Sequence, residues 1–394
     1  MKKKLLVLGV ISLVVLSIVL LRENIMLKSK INVDTDNAEK IKHKDMLSMM
    51  LEIEAGSGNY EMTTRESWPT SGYKFNSALS KCENSGELSW DDENKRVLMS
   101  GNVSDRCYVY FDKIMTLSEF VIAQYNGVQG NNNIYYHDST LENGAGDNSY
   151  RYAGSSDTTN NYVCFGSDAA TCPEDNLYRI IGVFDGKIKL IKAIAEKSKA
   201  VHWSNLSSCP SENAYAIGPG EPTSDNGCND WKYSDLNTEV LNTNFLNDLD
   251  DNWKNMITNT IWKVGDDLSV GLTPLAMFTA EIKNATKTYG PSDGTSKIGL
   301  MYASDYGYVA SPSAWTTTLK NYNTDVITSV NWLYSKSTEW IISTGDEGVF
   351  YLSYGELDGQ HSSNSHSIRP VFYLLSSITY KSGNGTQDSP IRIN

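Results

Sequence analysis

The sequence is short of positive charge: 34 Lys and Arg face 47 Asp and Glu, a net charge of −13. Phosphate backbones need a cationic surface, so nucleic acid is excluded as a partner. Histidine is scarce, with five residues scattered along the chain. No cysteines show Cys-x-x-Cys spacing, and none has histidines at zinc-finger distance. Neither a metal nor another cofactor is expected. Gly-x-Ser-x-Gly, His-Glu-x-x-His and a phosphate-cradling glycine loop are also missing, which removes the common hydrolase and nucleotide signatures. Small residues at a signal-peptidase site are absent from "VLLRENIM", so the apolar segment before it is expected to stay attached.

That segment is the uncharged run 5–21, "LLVLGVISLVVLSIVLL", behind Met1-Lys2-Lys3-Lys4. As a helix it would span roughly 25 Å, the short end of a membrane crossing. The leading lysines favour an N-terminus inside, and Arg22, Lys28 and Lys30 weaken that bias without reversing it. Residues 1–30 therefore read as a single-pass anchor with an extracytoplasmic ectodomain, the membrane being one partner. All six cysteines lie beyond it: Cys82, Cys107, Cys164, Cys172, Cys209 and Cys228. An even number in an exported chain points to disulfides, although six formally allow many pairings. Sequential pairs, each within one module and closing a short or medium loop, are expected.

Residues 31–58 carry Ile41, Met46, Leu47, Met50, Leu51 and Ile53 at roughly helical spacing before Gly56 and Gly58, and predict a helical stalk. Residues 59–115 turn to short β-type runs separated by Asp, Asn, Ser and Gly, a small β module that needs a cross-link to hold its limited core. From residue 116 to 394 the signals are mixed. "TLSEFVIAQYNG" predicts a helix opened by Thr116 and stopped at Gly127. "LYRIIGVFDGKIKLIKA" predicts a hairpin around Asp185-Gly186. Ser234 caps a helical stretch with Leu236, Val240, Phe245, Leu249, Trp253 and Met256 on one side. Short strands follow to the C-terminus, which makes the class α+β.

"NYVCFGSDAATCPEDNLYRIIGVFDGKIKLIKA", "KIGLMYASDYGYVASPSAWT", "EWIIS" and the closing "IRPVFYL" and "SGNGTQDSPIRIN" resemble uncharacterised surface proteins of Firmicutes, often gut bacteria. The resemblance implies a C-type-lectin-like C-terminal domain, related in fold to formylglycine-generating enzymes. It also implies that the final strands sit inside a sheet, paired with the start of the domain. Arg369 would then be a strand-borne charge held by a carboxylate or by carbonyls. The chain departs from the enzymes in having no cysteine after Cys228. Glu221-Pro222-Thr223 and Asn229-Asp230 match the calcium-holding residues of sugar-binding relatives only in part. Asn is replaced, and Trp231 follows where Trp should precede.

Two further patterns fit chemistry poorly. Ser71-x-x-Lys74, Ser224-Asp225-Asn226 and Lys381-Ser382-Gly383 occur in the order of a serine acyl-enzyme. However, "WPTSGYKFN" reads as a turn entering a strand, where the lysine cannot sit beside the serine. Asp248, Asp250 and Asn252 imitate a calcium loop, with Trp253 at the glycine position and Asn259 at the terminal Glu position. A non-enzymatic binding protein is the leading expectation, with an envelope-assembly component as the alternative. Aromatic residues mixed with Ser, Asn, Gly and Asp between 302 and 366 resemble a binding surface. The predicted contacts are Tyr306, Tyr308, Tyr351, Tyr354 and His361, for a surface glycan or a protein ligand.

Overall fold

A computed structural model describes residues 47–64, 67–101, 105–195, 200–205, 230–264, 268–283, 293–345 and 348–394. The chain is α+β, built mostly from strands, and divides into two compact units, Met1–Met115 and Thr116–Asn394. The expected anchor, Cys209 and Cys228 lie outside the described residues. Among the described residues, no helix is long and apolar enough to cross a membrane.

In the first unit, β1 (Leu47–Glu52) lies parallel to β7 (Cys107–Lys113). Antiparallel β2 (Tyr60–Met62) flanks β1, while β3 (Tyr73–Phe75) and β4 (Lys81–Cys82) pair with β7. A separate hairpin joins β5 (Glu87–Asp91) and β6 (Arg96–Ser100). The strand at 47–52 corrects the later part of the expected helical stalk, whose residues 31–46 lie outside the described residues. Leu47 and Met49 point into the core beside Cys107, Val109 and Phe111, so a period of two displaces the helical spacing once β7 supplies a partner. Glu52 ends β1 with its carboxylate accepting the amides of Gly58 and Lys113, each at 2.9 Å. Cys82 and Cys107 sit directly opposite each other on β4 and β7 and are disulfide-bonded.

The second unit opens with α1 (Leu117–Tyr125). Thr116 and Glu119 form a reciprocal capping box, and Asn126 ends the helix in the left-handed region. A seven-stranded sheet follows, using β8 (Ile134–His137), β9 (Ser149–Tyr152), β10 (Tyr162–Cys164), β11 (Leu177–Phe184) and β12 (Lys187–Lys192). Asp185 and Gly186 join β11 to β12 with φ of 47° and 72°, the geometry of a tight two-residue hairpin turn. β11 is buried from Leu177 to Val183, which explains its nearly unbroken apolar run.

Short pairs come next: β13 (Val201–His202), β14 (Thr260–Trp262) against β15 (Gly294–Ser296), and β16 (Ile298–Gly299), an edge of the large sheet. Between them lie a π-helical stretch, Leu236–Phe245, then α2 (Asp251–Met256) and α3 (Pro274–Phe278). The wider π turn buries Leu241 beside Leu236 and leaves Val240 half-buried. A short helix, α4 (Ala303–Tyr308), is wholly buried. β17 (Thr338–Gly345), β18 (Gly348–Ser353) and β19 (Glu356–Gln360) form a three-stranded sheet, and β20 (Ser365–His366) pairs with β13.

β21 (Val371–Tyr373) runs inside the large sheet between β12 and β16. The chain then ends in β22 (Tyr380–Ser382) and β23 (Arg392–Ile393). The unit's two ends are tied together: the Leu117 amide donates to Ile378 O at 2.8 Å, and Thr116 bridges Thr379. Ile391 bridges Val163 of β10. Gly383 and Gly385 make the last turn at φ of 92° and 81°, where a Cβ would stand 2.2 Å from Pro390 O and 2.4 Å from Asn160 O respectively. Only glycine fits both places.

Candidate functional site

The expected aromatic surface does not assemble. Tyr306 and Tyr308 lie on the buried α4, and Tyr351 is on the central strand β18, whose residues Gly348–Leu352 are all buried. The Tyr308 hydroxyl donates to Asn143 O at 3.3 Å. The Tyr351 ring stacks on His366 at 4.4 Å, and its hydroxyl donates to Asp358 at 3.1 Å. These three tyrosines are packing groups, which corrects their assignment as ligand contacts. Where loops were expected, Tyr306 and Tyr308 sit on a helix buried all round and Tyr351 on a strand covered on both faces. Tyr354 and His361 are exposed. Tyr354 occupies a hairpin turn at φ 49°, so its exposure follows from turn geometry. Trp315 and Trp332 are core.

Arg369 is buried, its Nε 2.5 Å from Glu339 Oε2 and its Nη2 donating to Leu333 O at 2.8 Å. Other buried charges of this unit accompany it. Arg179 on β11 lies between the rings of Tyr162 and Trp332, at 4.4 and 4.5 Å. It donates to Asn161, Ser156 and the carbonyls of Thr159 and Trp332. Burial, with the charge of Arg369 adding to it, pulls its pKa down to about 10. Lys189 on β12 and Arg151 on β9 converge on Asp305 of α4, at 2.5 and 3.8 Å, and Arg151 also pairs with Asp147 at 2.7 Å. Glu281 accepts the amides of Ala303 and Ser304 and the hydroxyl of Ser343. Burial pushes its pKa up to about 7, against the lowering effect of these hydrogen bonds.

Of the acyl-enzyme pattern, Ser71 lies in a bend and Lys74 on β3, while Ser224, Asp225 and Asn226 lie outside the described residues. Glu221, Pro222, Thr223 and Asn229 are outside them too; Asp230 is buried and accepts the Lys232 amide at 3.2 Å. Among the described residues, no three His, Cys, Asp or Glu side chains are grouped to hold a metal ion.

A concave surface of the second unit lies elsewhere. A groove of about 860 Å³ runs between the 164–172 loop and the C-terminal hairpin. The Cys164–Cys172 disulfide closes the first wall. Arg392 of β23 pins that loop by donating to Ser167 O and Ala170 O, both at 3.1 Å. Lys381, Gln387 and Asp388 supply exposed polar groups on the second wall, with Asp168 and Glu174 opposite. Trp253 lies at the base, packed edge-on against Phe165 at 5.0 Å. Opposite charges, amide and hydroxyls thus surround a space of small-ligand size. The local sequence carries two signals of it: the short Cys164–Cys172 spacing and the glycine-rich turn "SGNG". Neither reveals that the two segments meet. No family model, curated protein or solved structure matches this chain.

Proposed function

We propose that the chain is a membrane-anchored extracytoplasmic binding protein that holds a glycan in the groove beside its C-terminal hairpin, without catalysing a reaction. The observation that carries this reading is the groove's construction. One wall is fixed by a disulfide and by Arg392, so a ligand meets a preformed surface, which limits the ordering cost of binding. The lining mixes carboxylates, an amide, hydroxyls and an ammonium, a set that can both donate to and accept from the many hydroxyls of a saccharide. The pairing of the unit's first and last segments supports a C-type-lectin-like fold. The run 5–21 supports the anchor, and paired cysteines support an oxidising location. Screening the ectodomain on glycan and protein arrays tests the proposal. Glycan binding lost on Asp388→Ala supports it; binding to protein alone, or to nothing, counts against it.

A further inference from the structure

Lys189 and Asp305 are both buried, with Nζ 2.5 Å from Oδ2. The Lys189 ammonium lies among four rings: Tyr302 at 4.6 Å, Tyr373 at 5.3 Å, Phe184 at 5.6 Å and Trp262 at 5.9 Å. Both side chains are shielded from the surface, and the two groups come from distant parts of the chain, strand β12 and helix α4. We propose that Lys189 and Asp305 condense after folding into an intramolecular amide that cross-links β12 to α4.

The chemistry needs no outside reagent. In the ion pair, a proton passes from Nζ to Oδ2, leaving a neutral amine against a carboxylic acid. Burial by itself works against the charged forms, because they lose their hydration there. The amine lone pair then attacks Cγ, and the new Nζ–Cγ bond pushes an electron pair onto Oδ1. Arg151 Nη1, 3.8 Å from Oδ1, faces the oxygen on which negative charge develops. A second Nζ proton moves to the Oδ2 hydroxyl, the Cγ–Oδ2 bond breaks, and one water departs. Ammonium and carboxylate become amide and water, so charge and atoms balance. The Tyr373 hydroxyl, on a ring whose centroid is 5.3 Å from Lys189 Nζ, is the group we assign to relay that second proton. Oδ2 also accepts the Tyr302 amide at 3.0 Å, which fixes the carboxyl for attack. Such fixed contact replaces a bimolecular encounter and removes much of the entropic barrier.

Neighbouring groups oppose the first proton transfer. Burial works against the Lys189 ammonium, but Asp305 and Tyr373 outweigh it and raise its pKa. The reaction therefore starts from the charged pair, and its rate depends on the first proton transfer.

Intact mass of the purified full chain, after reduction of its disulfides, tests the proposal. The expected mass is lower than the sequence mass by one water, and proteolysis should yield a branched peptide joining Lys189 to Asp305. A dehydrated Asp-Gly site would show the same mass without the branch. A full sequence mass in folded protein, or a water loss without the branch, overturns the proposal. Tyr373→Phe should retain the fold and slow the loss of water at least tenfold. Unchanged kinetics in that variant would remove Tyr373 from the relay.

Discussion

At the scale of single residues, charge placement and backbone angle make sharper predictions than composition does. Removing Arg369 leaves Glu339 buried without its cation, so Arg369→Ala should destabilise the second unit by about 3–5 kcal/mol in urea unfolding. Tyr354 holds a left-handed turn position with its ring largely in solvent. Tyr354→Asn, a residue that tolerates that angle, should stabilise by up to about 1 kcal/mol in the same assay. Glu281 supplies a pH dependence. Its folded pKa, about 7, lies above its ordinary 4.5, so the folded state holds the proton more tightly between those values. The stabilisation is complete below about pH 4.5 and is lost as pH rises through 7, up to about 3 kcal/mol. His366, pulled down to about 4 by burial, acts in the opposite direction as pH falls. The difference between the unaltered chain and Glu281→Gln isolates the Glu281 contribution. That difference should change steadily from pH 5 to 7; a flat difference would refute the assignment.

Among the elements, local rules made the hairpin and the first helix readable. Asp185-Gly186 between two apolar runs and Thr116 ahead of Glu119 act through contacts only a few residues apart. The 47–52 strand was not readable, because its parallel partner lies some sixty residues away, and Leu47, Met50 and Leu51 satisfy a helix equally well. The tyrosines failed for a related reason. For Tyr351, the face a ring occupies depends on register, and no local signal fixed the register of β18; Tyr306 and Tyr308 lie on α4, a helix covered all round by segments remote in the chain. Arg369 stood out as a charge in an apolar run, and Arg179 and Lys189 stand in similar runs. Their partners come from remote segments and were invisible. The Cys82–Cys107 link joins paired strands in a unit with a small core. Replacing both cysteines by alanine should cost that unit about 3 kcal/mol, read as an earlier unfolding transition. Loss of the second unit's transition instead would show the assignment to be misplaced.

For the whole molecule, the α+β class could be read from the order of signals, whereas the groove could not. Its walls are 164–172 and 381–393, segments brought together only when Ile391 bridges Val163 and the chain's end closes the unit. The central claim is that this closure makes a glycan site. Titration of a glycan found on the array against the double variant Gln387→Ala/Asp388→Ala, with Tyr354→Ala beside it, tests that claim most directly. Both groove side chains are exposed, so their loss should leave stability within about 0.5 kcal/mol. The groove variant should bind more weakly by more than about 1 kcal/mol while Tyr354→Ala binds normally. Unchanged affinity in the groove variant, with loss in Tyr354→Ala, would contradict the account.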